Sequence, residues 1–209
     1  MQIFINILLS YFIGSISGSI VLGKLRGIDI RTMGSGNAGG TNAFRTVGAS
    51  FALGVIFIDI LKGVISVLFI SQLNLSISTN HELITIGCAI AAVLGHIYPI
   101  YYKFKGGKGA GTLIGIIAVL FPFQCVLYAI IVWIIILIFT GFVGLSTMAA
   151  GITLSICAYF FNVSLHYFCF SIGMSLLIIF THRSNIQRMF KGEENQFRKI
   201  MIFKKLFKK

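Results

Sequence analysis

The sequence predicts an all-α fold: a polytopic integral membrane helix bundle with seven transmembrane helices, the N-terminus outside and the C-terminus in the cytoplasm. Three observations support this prediction. Hydrophobic residues make up 57% of the 209 residues and charged residues only 11%, whereas soluble domains carry about 25% charged residues. The apolar residues form segments long enough to cross a bilayer. The basic residues lie in a few short stretches between those segments.

The spans follow from the apolar segments, since about 20 such residues cross the hydrocarbon core. The first segment has no charged residue and lacks the basic start and cleavage site of a signal peptide, so we expect it to be retained. The uncharged gap between Lys108 and Arg183 has two basic ends on one side, which requires an even number of crossings and favours four. The predicted spans are residues 1–23, 50–71, 83–102, 110–121, 123–139, 144–161 and 165–181. The fourth is short, and we expect its neighbours to shield it from lipid.

The distribution of charge predicts the orientation. All 17 Lys and Arg residues except Lys62 lie in residues 24–45, 103–108 and 183–209. Positive residues mark the cytoplasmic side, so these stretches are expected there. The net charge of +12 lies at the ends of spans rather than on a solvated helical face, which argues against nucleic acid as a partner.

Two further expectations concern charge. Asp59 and Lys62 are three residues apart inside the second predicted span, where we expect a structural ion pair near the bundle interior. Residues 1–196 are expected to form a single membrane-embedded domain. Residues 197–209 form a basic, amphipathic cytoplasmic tail that is expected to lie on the membrane surface.

The first of three polar stretches is residues 34–45, GSGNAGGTNAFR. Its four glycines allow backbone N–H groups to converge on an anion. The Arg45 guanidinium can hold two phosphate oxygens. Further hydrogen bonds could come from Ser35, Asn37, Thr41 and Asn42. The alternative is a flexible polar loop between two helices.

The second stretch is residues 95–112, GHIYPIYYKFKGGKGAGT, with His96 near the end of the third span. Two lysines and the glycine N–H groups could hold an anion at the start of the fourth span, where a helix dipole would help. The residues concerned are Lys105, Gly106, Gly107, Lys108 and Gly109. The stretch lacks the Gly-Lys-Ser/Thr ending of a nucleotide-binding P-loop. The alternative is a basic turn.

The third stretch is residues 181–194, THRSNIQRMFKGEE. His182 and Asn185 share a face at i, i+3 if the last span continues as a helix, and Arg183 adds a cation. Alternatively, His182 is only a hydrogen-bonding residue at the membrane boundary. Because all three stretches are predicted on the cytoplasmic side, they can converge. Together they indicate a site for a multiply negative, phosphorylated small molecule.

In order and spacing, the three stretches resemble the signature stretches of bacterial acyl-phosphate:glycerol-3-phosphate acyltransferases, the PlsY family. The resemblance implies a multi-pass enzyme of the bacterial inner (cytoplasmic) membrane. It would transfer a fatty acyl group from acyl phosphate to the 1-hydroxyl of glycerol 3-phosphate, giving lysophosphatidic acid and phosphate, the first step of phospholipid synthesis. Its partners would be glycerol 3-phosphate, fatty acyl phosphate and membrane lipids, without cofactor or metal. Contact with the peripheral acyltransferase that makes acyl phosphate is compatible with it.

The resemblance also implies residue roles. Catalytic roles are expected of Ser35, Lys105, His182 and Asn185. From the resemblance and from the chemistry of the three stretches together, substrate binding is expected of Ser35, Asn37, Asn42, Arg45, His96, Lys105, Gly106, Gly107, Lys108, Gly109 and Arg183. Glu194 matches a closing acid that is expected to be structural. Gly40 and Gly111 stand where the family more often has alanine.

Other reactions fit less well. The H-x-x-x-x-D pair of other glycerolipid acyltransferases is absent, since Tyr101 and Gln187 follow the two histidines at that distance. We therefore hypothesise that a substrate phosphate oxygen accepts the hydroxyl proton, while His182 and Asn185 orient the reactants. A metal-dependent phosphoalcohol transferase would need clustered aspartates, and the chain has only Asp29 and Asp59. A transporter for phosphorylated solutes is the remaining alternative.

Overall fold

A computed structural model of the chain describes residues 2–73, 80–198 and 200–201. All regular secondary structure in this part is helical, which confirms the predicted all-α class. The α-helices are α1 (Gln2–Gly14), α2 (Gly18–Leu25), α3 (Gly40–Thr46), α4 (Ala49–Leu68), α5 (His81–Ile97), α6 (Ala110–Leu120), α7 (Phe123–Thr140), α8 (Val143–Phe160), α9 (Leu165–Thr181) and α10 (Arg183–Phe190). Most of the predicted tail, residues 197–209, lies outside the described residues, so its place on the membrane stays a prediction.

The described helices include four that are long and apolar enough to cross a membrane. These are α7, α8, and α4 and α5 together with the short 3₁₀ turns that follow them. The pairs α1–α2 and α9–α10 are bent by 46° and 51°, and each pair could be one further span, giving up to six. The 11 residues of α6 rise about 17 Å, roughly half the hydrocarbon core. The integral membrane class is therefore supported, and the seventh crossing stays a prediction.

The helices form two compact units, Met1–Leu120 and Phe121–Lys209. In the first unit, α1 packs along α5, and α4 packs along α6, with α2, α3 and α5 also against α4. Glycines bring these backbones together. A Cβ added at Gly14, Gly63 or Gly115 would overlap backbone atoms of the facing helix. Small residues allow this close approach between helices in a membrane.

In the second unit, α8 packs between α7 and α9. Polar side chains link these helices inside an otherwise apolar bundle. The Ser155 and Ser175 hydroxyls lie 3.0 Å apart, and the Ser175 hydroxyl also donates to the Gly151 carbonyl at 2.6 Å. On the other side of α8, the Trp133 indole N–H donates to the Thr147 hydroxyl at 3.2 Å. Hydrogen bonds of this kind hold transmembrane helices together.

The first predicted span, residues 1–23, is not one continuous helix. The chain leaves α1 at Gly14 and enters α2 at Gly18, with the bend of 46° between them. A break of this kind leaves backbone groups without helical partners, which is costly away from water. Two of these groups find charged partners: the Ile16 carbonyl accepts from Lys62, and the Gly18 N–H donates to Asp59.

The ion pair predicted between Asp59 and Lys62 is present. The Lys62 ammonium lies 3.0 Å from the Asp59 carboxylate, and both side chains are only 3% exposed. The i, i+3 spacing on α4 allows the pair, as expected. The sequence did not show that the pair closes the break between α1 and α2, because the break lies more than 40 residues away along the chain.

We expect Gly115→Ala to destabilise the first unit, because the added methyl group overlaps the Ile60 carbonyl of α4. Overpacking of this kind costs about 1–3 kcal/mol. The matched control is Gly173→Ala, since a Cβ at Gly173 meets no atom within 4 Å. Thermal unfolding of the purified protein in detergent should show a lower Tm for Gly115→Ala only. Equal Tm values for the two variants would contradict the close contact of α4 and α6.

Candidate active site

The first polar stretch is shaped by the buried side chain of Asn42. Its amide oxygen accepts from the Ser35 N–H at 2.9 Å. Its amide nitrogen donates to the Ile30 carbonyl at 3.2 Å and to the Met33 carbonyl at 2.9 Å. Both atoms of the amide are therefore engaged with backbone. Asn42 holds the loop that presents Ser35, and its expected contact with substrate stays a prediction.

The same loop needs glycine at two positions. Gly34 and Gly36 have φ values of 57° and 70°, which other residues adopt only at a cost. Ser35 between them is exposed, Asn37 is half-buried, and Arg45 lies half-buried in the last turn of α3. Ser35, Asn37 and Arg45 are thus at or near the surface, and the buried Asn42 side chain fixes the backbone of their loop.

The second polar stretch connects the end of α5 to the start of α6. The Gly107 N–H donates to the His96 carbonyl at 3.1 Å. A Cβ at Gly106 or Gly107 would overlap His96, so a side chain at either position would push the loop away. Gly109 has a φ of 90° and is buried directly before α6, and Lys105 is exposed and Lys108 half-buried.

The first unit brings these two loops together. A Cβ built on Gly107 would lie 3.1 Å from the Ala38 carbonyl oxygen. Arg31 donates to the Tyr102 carbonyl at 3.4 Å, and the Lys24 ammonium lies 5.6 Å from the centre of the Tyr102 ring. The expected convergence is therefore observed for the first and second stretches.

One cation near the two loops is already neutralised. Arg31 forms an ion pair with Asp29 at 2.7 Å. The hydrogen bonds from the Arg31 side chain and backbone lower the pKa of the Asp29 carboxyl to about 2, so Asp29 is charged at neutral pH. Asp29 is the one acid in residues 24–45 and 103–108, so basic residues outnumber acids in these stretches.

His96 was predicted to bind substrate, and Asp59 and Lys62 to form a separate structural pair. The structure joins the three in one cluster. His96 is 3% exposed, its Nδ1 lies 2.8 Å from the Lys62 ammonium, and the Asp59 carboxylate lies 3.5 Å from the same nitrogen. Sequence reasoning missed this connection. The presence of two charged residues inside a predicted span was the only signal for it.

The third polar stretch belongs to the second unit, where α9 bends into α10. His182 lies at the bend and is 6% exposed. Its Nδ1 is 2.8 Å from the Ile178 carbonyl oxygen. A carbonyl only accepts, so Nδ1 carries the proton, and in the neutral ring the lone pair is on Nε2. Arg183 is exposed and stacks on Phe180, with its guanidinium carbon 4.5 Å from the ring centre.

Asn185 is held by the acid at the end of the same stretch. It donates to Glu194 at 2.9 Å, and Arg188 donates to the other oxygen of Glu194 at 2.6 Å. Glu194 is 8% exposed, so its expected structural role agrees with the geometry. Gly144 on α8 makes room for Asn185, since a Cβ there would lie 3.1 Å from that side chain. Sequence reasoning gave Gly144 no role.

Comparison with known proteins identifies the family. The family model described as glycerol-3-phosphate acyltransferase matches residues 4–192. The chain belongs to this family. The glycerol-3-phosphate acyltransferase of Endomicrobium trichonymphae is 38% identical, with 95% of this chain and 96% of that protein covered. Glycerol-3-phosphate acyltransferase 2 of Bacillus anthracis is 41% identical, with 92% of this chain and 97% of that protein covered. The resemblance inferred from the three stretches is confirmed.

Solved structures agree. A crystal structure of PlsY, an integral membrane glycerol 3-phosphate acyltransferase, in its glycerol 3-phosphate form has a TM-score of 0.85 and 32% identity, covering both chains completely. The lysophosphatidic acid form has a TM-score of 0.83 and the same identity, covering 94% of this chain and 96% of that chain. The protein is therefore an integral membrane acyltransferase of the type that serves phospholipid synthesis.

We expect Asn42→Ala to loosen the first loop, because it leaves the Ser35 N–H and two carbonyls without their partner. Losing such buried bonds costs about 1–3 kcal/mol. Hydrogen exchange at residues 33–37 should become faster, and Tm should fall. The control is Thr32→Val, which removes an exposed hydroxyl that donates to the Asp29 carbonyl. Unchanged exchange in Asn42→Ala would mean that the amide does not hold the loop.

Proposed function

We propose that the protein transfers a fatty acyl group from acyl phosphate to the 1-hydroxyl of glycerol 3-phosphate, forming lysophosphatidic acid and phosphate. The observation that carries the proposal is the meeting of two glycine-rich, cationic loops in a chain of this family. A relative with the same fold has been solved in glycerol 3-phosphate and lysophosphatidic acid forms. Both are phosphate monoesters, which suit such loops.

The first unit supplies the groups for the phosphates. Arg45 is assigned the glycerol 3-phosphate phosphate, because its planar fork matches two phosphate oxygens. Ser35 and Asn37 add hydrogen bonds from the same loop. Lys105 and Lys108 add charge from the second loop, where the N–H groups of Gly106, Gly107 and Gly109 can contribute. Holding two anions close together is the main task in this reaction, and these cations perform it.

The chemical step needs little covalent help, because an acyl phosphate is already an activated anhydride. The 1-hydroxyl oxygen attacks the acyl carbon and forms the ester bond. The bond from that carbon to the phosphate oxygen breaks, and its electron pair leaves with the phosphate. The hydroxyl proton passes to a phosphate oxygen, so the products are the ester and hydrogen phosphate. Lys105 and nearby N–H groups stabilise the negative charge that develops on the carbonyl oxygen.

His182 and Asn185 are assigned to orientation in this proposal. The Nδ1–H of His182 donates to a carbonyl, whereas in a Ser-His-Asp triad the same position donates to a carboxylate that stabilises the imidazolium. In the neutral ring the Nε2 lone pair is the acceptor that we assign to the substrate hydroxyl. Asn185 is fixed by Glu194 through its amide N–H, and Arg183 adds a cation to the third stretch.

The membrane supplies the acyl donor. We infer that the N-terminus is outside and the C-terminus in the cytoplasm, since basic residues mark the cytoplasmic side, and that the active site faces the cytoplasm. The acyl chain would lie among the spans and surrounding lipids of the bacterial inner membrane. The basic tail, residues 197–209, would lie on the same surface. Contact with the peripheral enzyme that produces acyl phosphate fits this placement.

The decisive experiment is turnover by the purified protein in detergent with glycerol 3-phosphate and palmitoyl phosphate. Lysophosphatidic acid and phosphate should form in equal amounts. Parallel reactions with palmitoyl-CoA and palmitoyl-acyl carrier protein test the donor and should give no product. Product from either thioester would overturn the donor assignment. No product from any donor by folded protein would favour the transporter, to be tested by uptake of glycerol 3-phosphate into liposomes.

Arg45→Lys should raise the KM for glycerol 3-phosphate by roughly tenfold or more, with a smaller effect on kcat, because lysine keeps the charge but loses the paired hydrogen bonds. The matched control is Arg26→Lys. Arg26 is exposed, with its guanidinium 5.2 Å from the centre of the Phe51 ring. A wild-type KM in Arg45→Lys would remove Arg45 from the phosphate site.

His182→Ala distinguishes orientation from proton transfer. Loss of orientation should lower kcat moderately, whereas general base catalysis contributes up to roughly ten-thousandfold. We expect a decrease well below a thousandfold. A loss of that size or greater, with glycerol 3-phosphate binding intact, would make His182 the base and would overturn proton transfer to the substrate phosphate.

A further inference from the structure

The Lys62 ammonium has three acceptors, one for each of its protons. They are the Ile16 carbonyl at 2.8 Å, His96 Nδ1 at 2.8 Å and the Asp59 carboxylate at 3.0 Å. An ammonium has three donors and no acceptor, so these contacts use it completely. A lysine at this depth is tolerated only with its charge paired and its protons satisfied.

This arrangement sets the tautomer of His96. Because the ammonium can only donate, Nδ1 of His96 must accept, and it therefore carries no proton. The proton of the neutral ring is then on Nε2. The reverse arrangement, with a neutral Lys62 accepting from Nδ1, would leave the buried Asp59 carboxylate without its cation.

The Nε2 atom points at the second loop. A Cβ built on Gly107 would overlap Nε2, and the Gly107 N–H donates to the His96 carbonyl. His96 thus touches the loop through both its ring and its backbone. Among the described residues, the side-chain contacts of His96 are made by Nδ1, and Nε2 is not one of the fully enclosed polar atoms that lack a partner. The Nε2–H is therefore placed where a ligand oxygen at the second loop can accept its hydrogen bond.

We propose that Asp59 and Lys62 are positioning residues that hold His96 in its Nε2–H tautomer, and that this N–H donates a hydrogen bond to a substrate phosphate oxygen at the second loop. This inference rests on the proposed function, because it takes the second loop as a phosphate site. It assigns His96 a fixed role as a neutral hydrogen-bond donor. It also gives the intramembrane ion pair a role in substrate binding.

The same pair also stabilises the break between α1 and α2, since Lys62 donates to the Ile16 carbonyl and Asp59 accepts from the Gly18 N–H. A purely structural role is therefore the alternative explanation. The two explanations predict different orders of KM and Tm for two substitutions of His96. In asparagine the amide lies near the position of Nδ1, and in glutamine it reaches the position of Nε2.

The first experiment compares His96→Asn with His96→Gln. Asparagine can still accept from Lys62 but has no donor at the second loop, so the KM for glycerol 3-phosphate should rise roughly tenfold or more, as for a lost hydrogen bond to a charged group. Glutamine restores that donor, so its KM should stay closer to the wild-type value, even if its Tm is lower. A purely structural cluster predicts the opposite order, with asparagine better in both KM and Tm, and that result would overturn the proposal.

The second experiment reads the tautomer without turnover. The ¹⁵N NMR spectrum of histidine-labelled protein separates protonated from unprotonated ring nitrogens, and subtracting the spectrum of His96→Gln identifies the His96 signals. Wild-type protein should show His96 protonated at Nε2 only, and adding glycerol 3-phosphate or inorganic phosphate should shift that signal. Lys62→Met should give a mixture of tautomers. The matched control is Ser66→Ala, one turn along α4, where the hydroxyl donates to the Lys62 carbonyl.

The outcomes separate the two proposals. Two results would overturn the proposed donor role of His96. One is protonation of Nδ1 in wild-type protein, and the other is an Nε2 signal that shifts with neither glycerol 3-phosphate nor inorganic phosphate. A correct tautomer that responds to phosphate, in a protein that makes no lysophosphatidic acid, would instead overturn the proposed function.

Discussion

The contact between Lys62, Asp59 and His96 is the interaction on which the first unit depends. Removing an ammonium and a carboxylate from water costs several kcal/mol for each ion. The cost is offset only because every proton of Lys62 has an acceptor. In return, one cluster connects three places far apart in the chain: the break between α1 and α2, the middle of α4 and the end of α5. A break in a membrane helix leaves backbone groups that need hydrogen-bond partners in lipid. The Asp59 and Lys62 side chains supply these partners, and the backbone at the break in turn satisfies part of their hydrogen bonding.

The candidate site also depends on buried polar groups that have hydrogen-bond partners. Ser35, Arg45 and Lys105, which are expected to touch substrate, are exposed or half-buried, while buried polar side chains support the stretches that carry such residues. Asn42 does this for the first loop with three bonds to backbone. Glu194 does it for the third stretch by binding Asn185 and Arg188. A cationic site must keep its groups in position before substrate arrives, because ordering them afterwards would reduce the binding free energy.

The site could be predicted from the sequence to different extents in different places. The three stretches were recognisable because glycines, asparagines and cations cluster there with almost no acid, and their order matched a family. The role of Asn42 could not be predicted, because the same side-chain amide can form hydrogen bonds either to a substrate or to the backbone. Gly144 gave no signal, since a glycine near the start of a helix is common. His96 was placed at the site, but its partner Lys62 is 34 residues away.

The sequence by itself determined the all-helical membrane class, the approximate ends of most helices, the family and the residues of the three stretches. These properties depend on local composition and on the placement of charge, both of which can be read directly from the sequence. The tertiary structure decided where the first span breaks, which nitrogen of His96 faces the second loop, and which polar residues support the backbone. Those features depend on contacts between residues that are distant in sequence, and a hydrogen bond has a direction that composition does not contain.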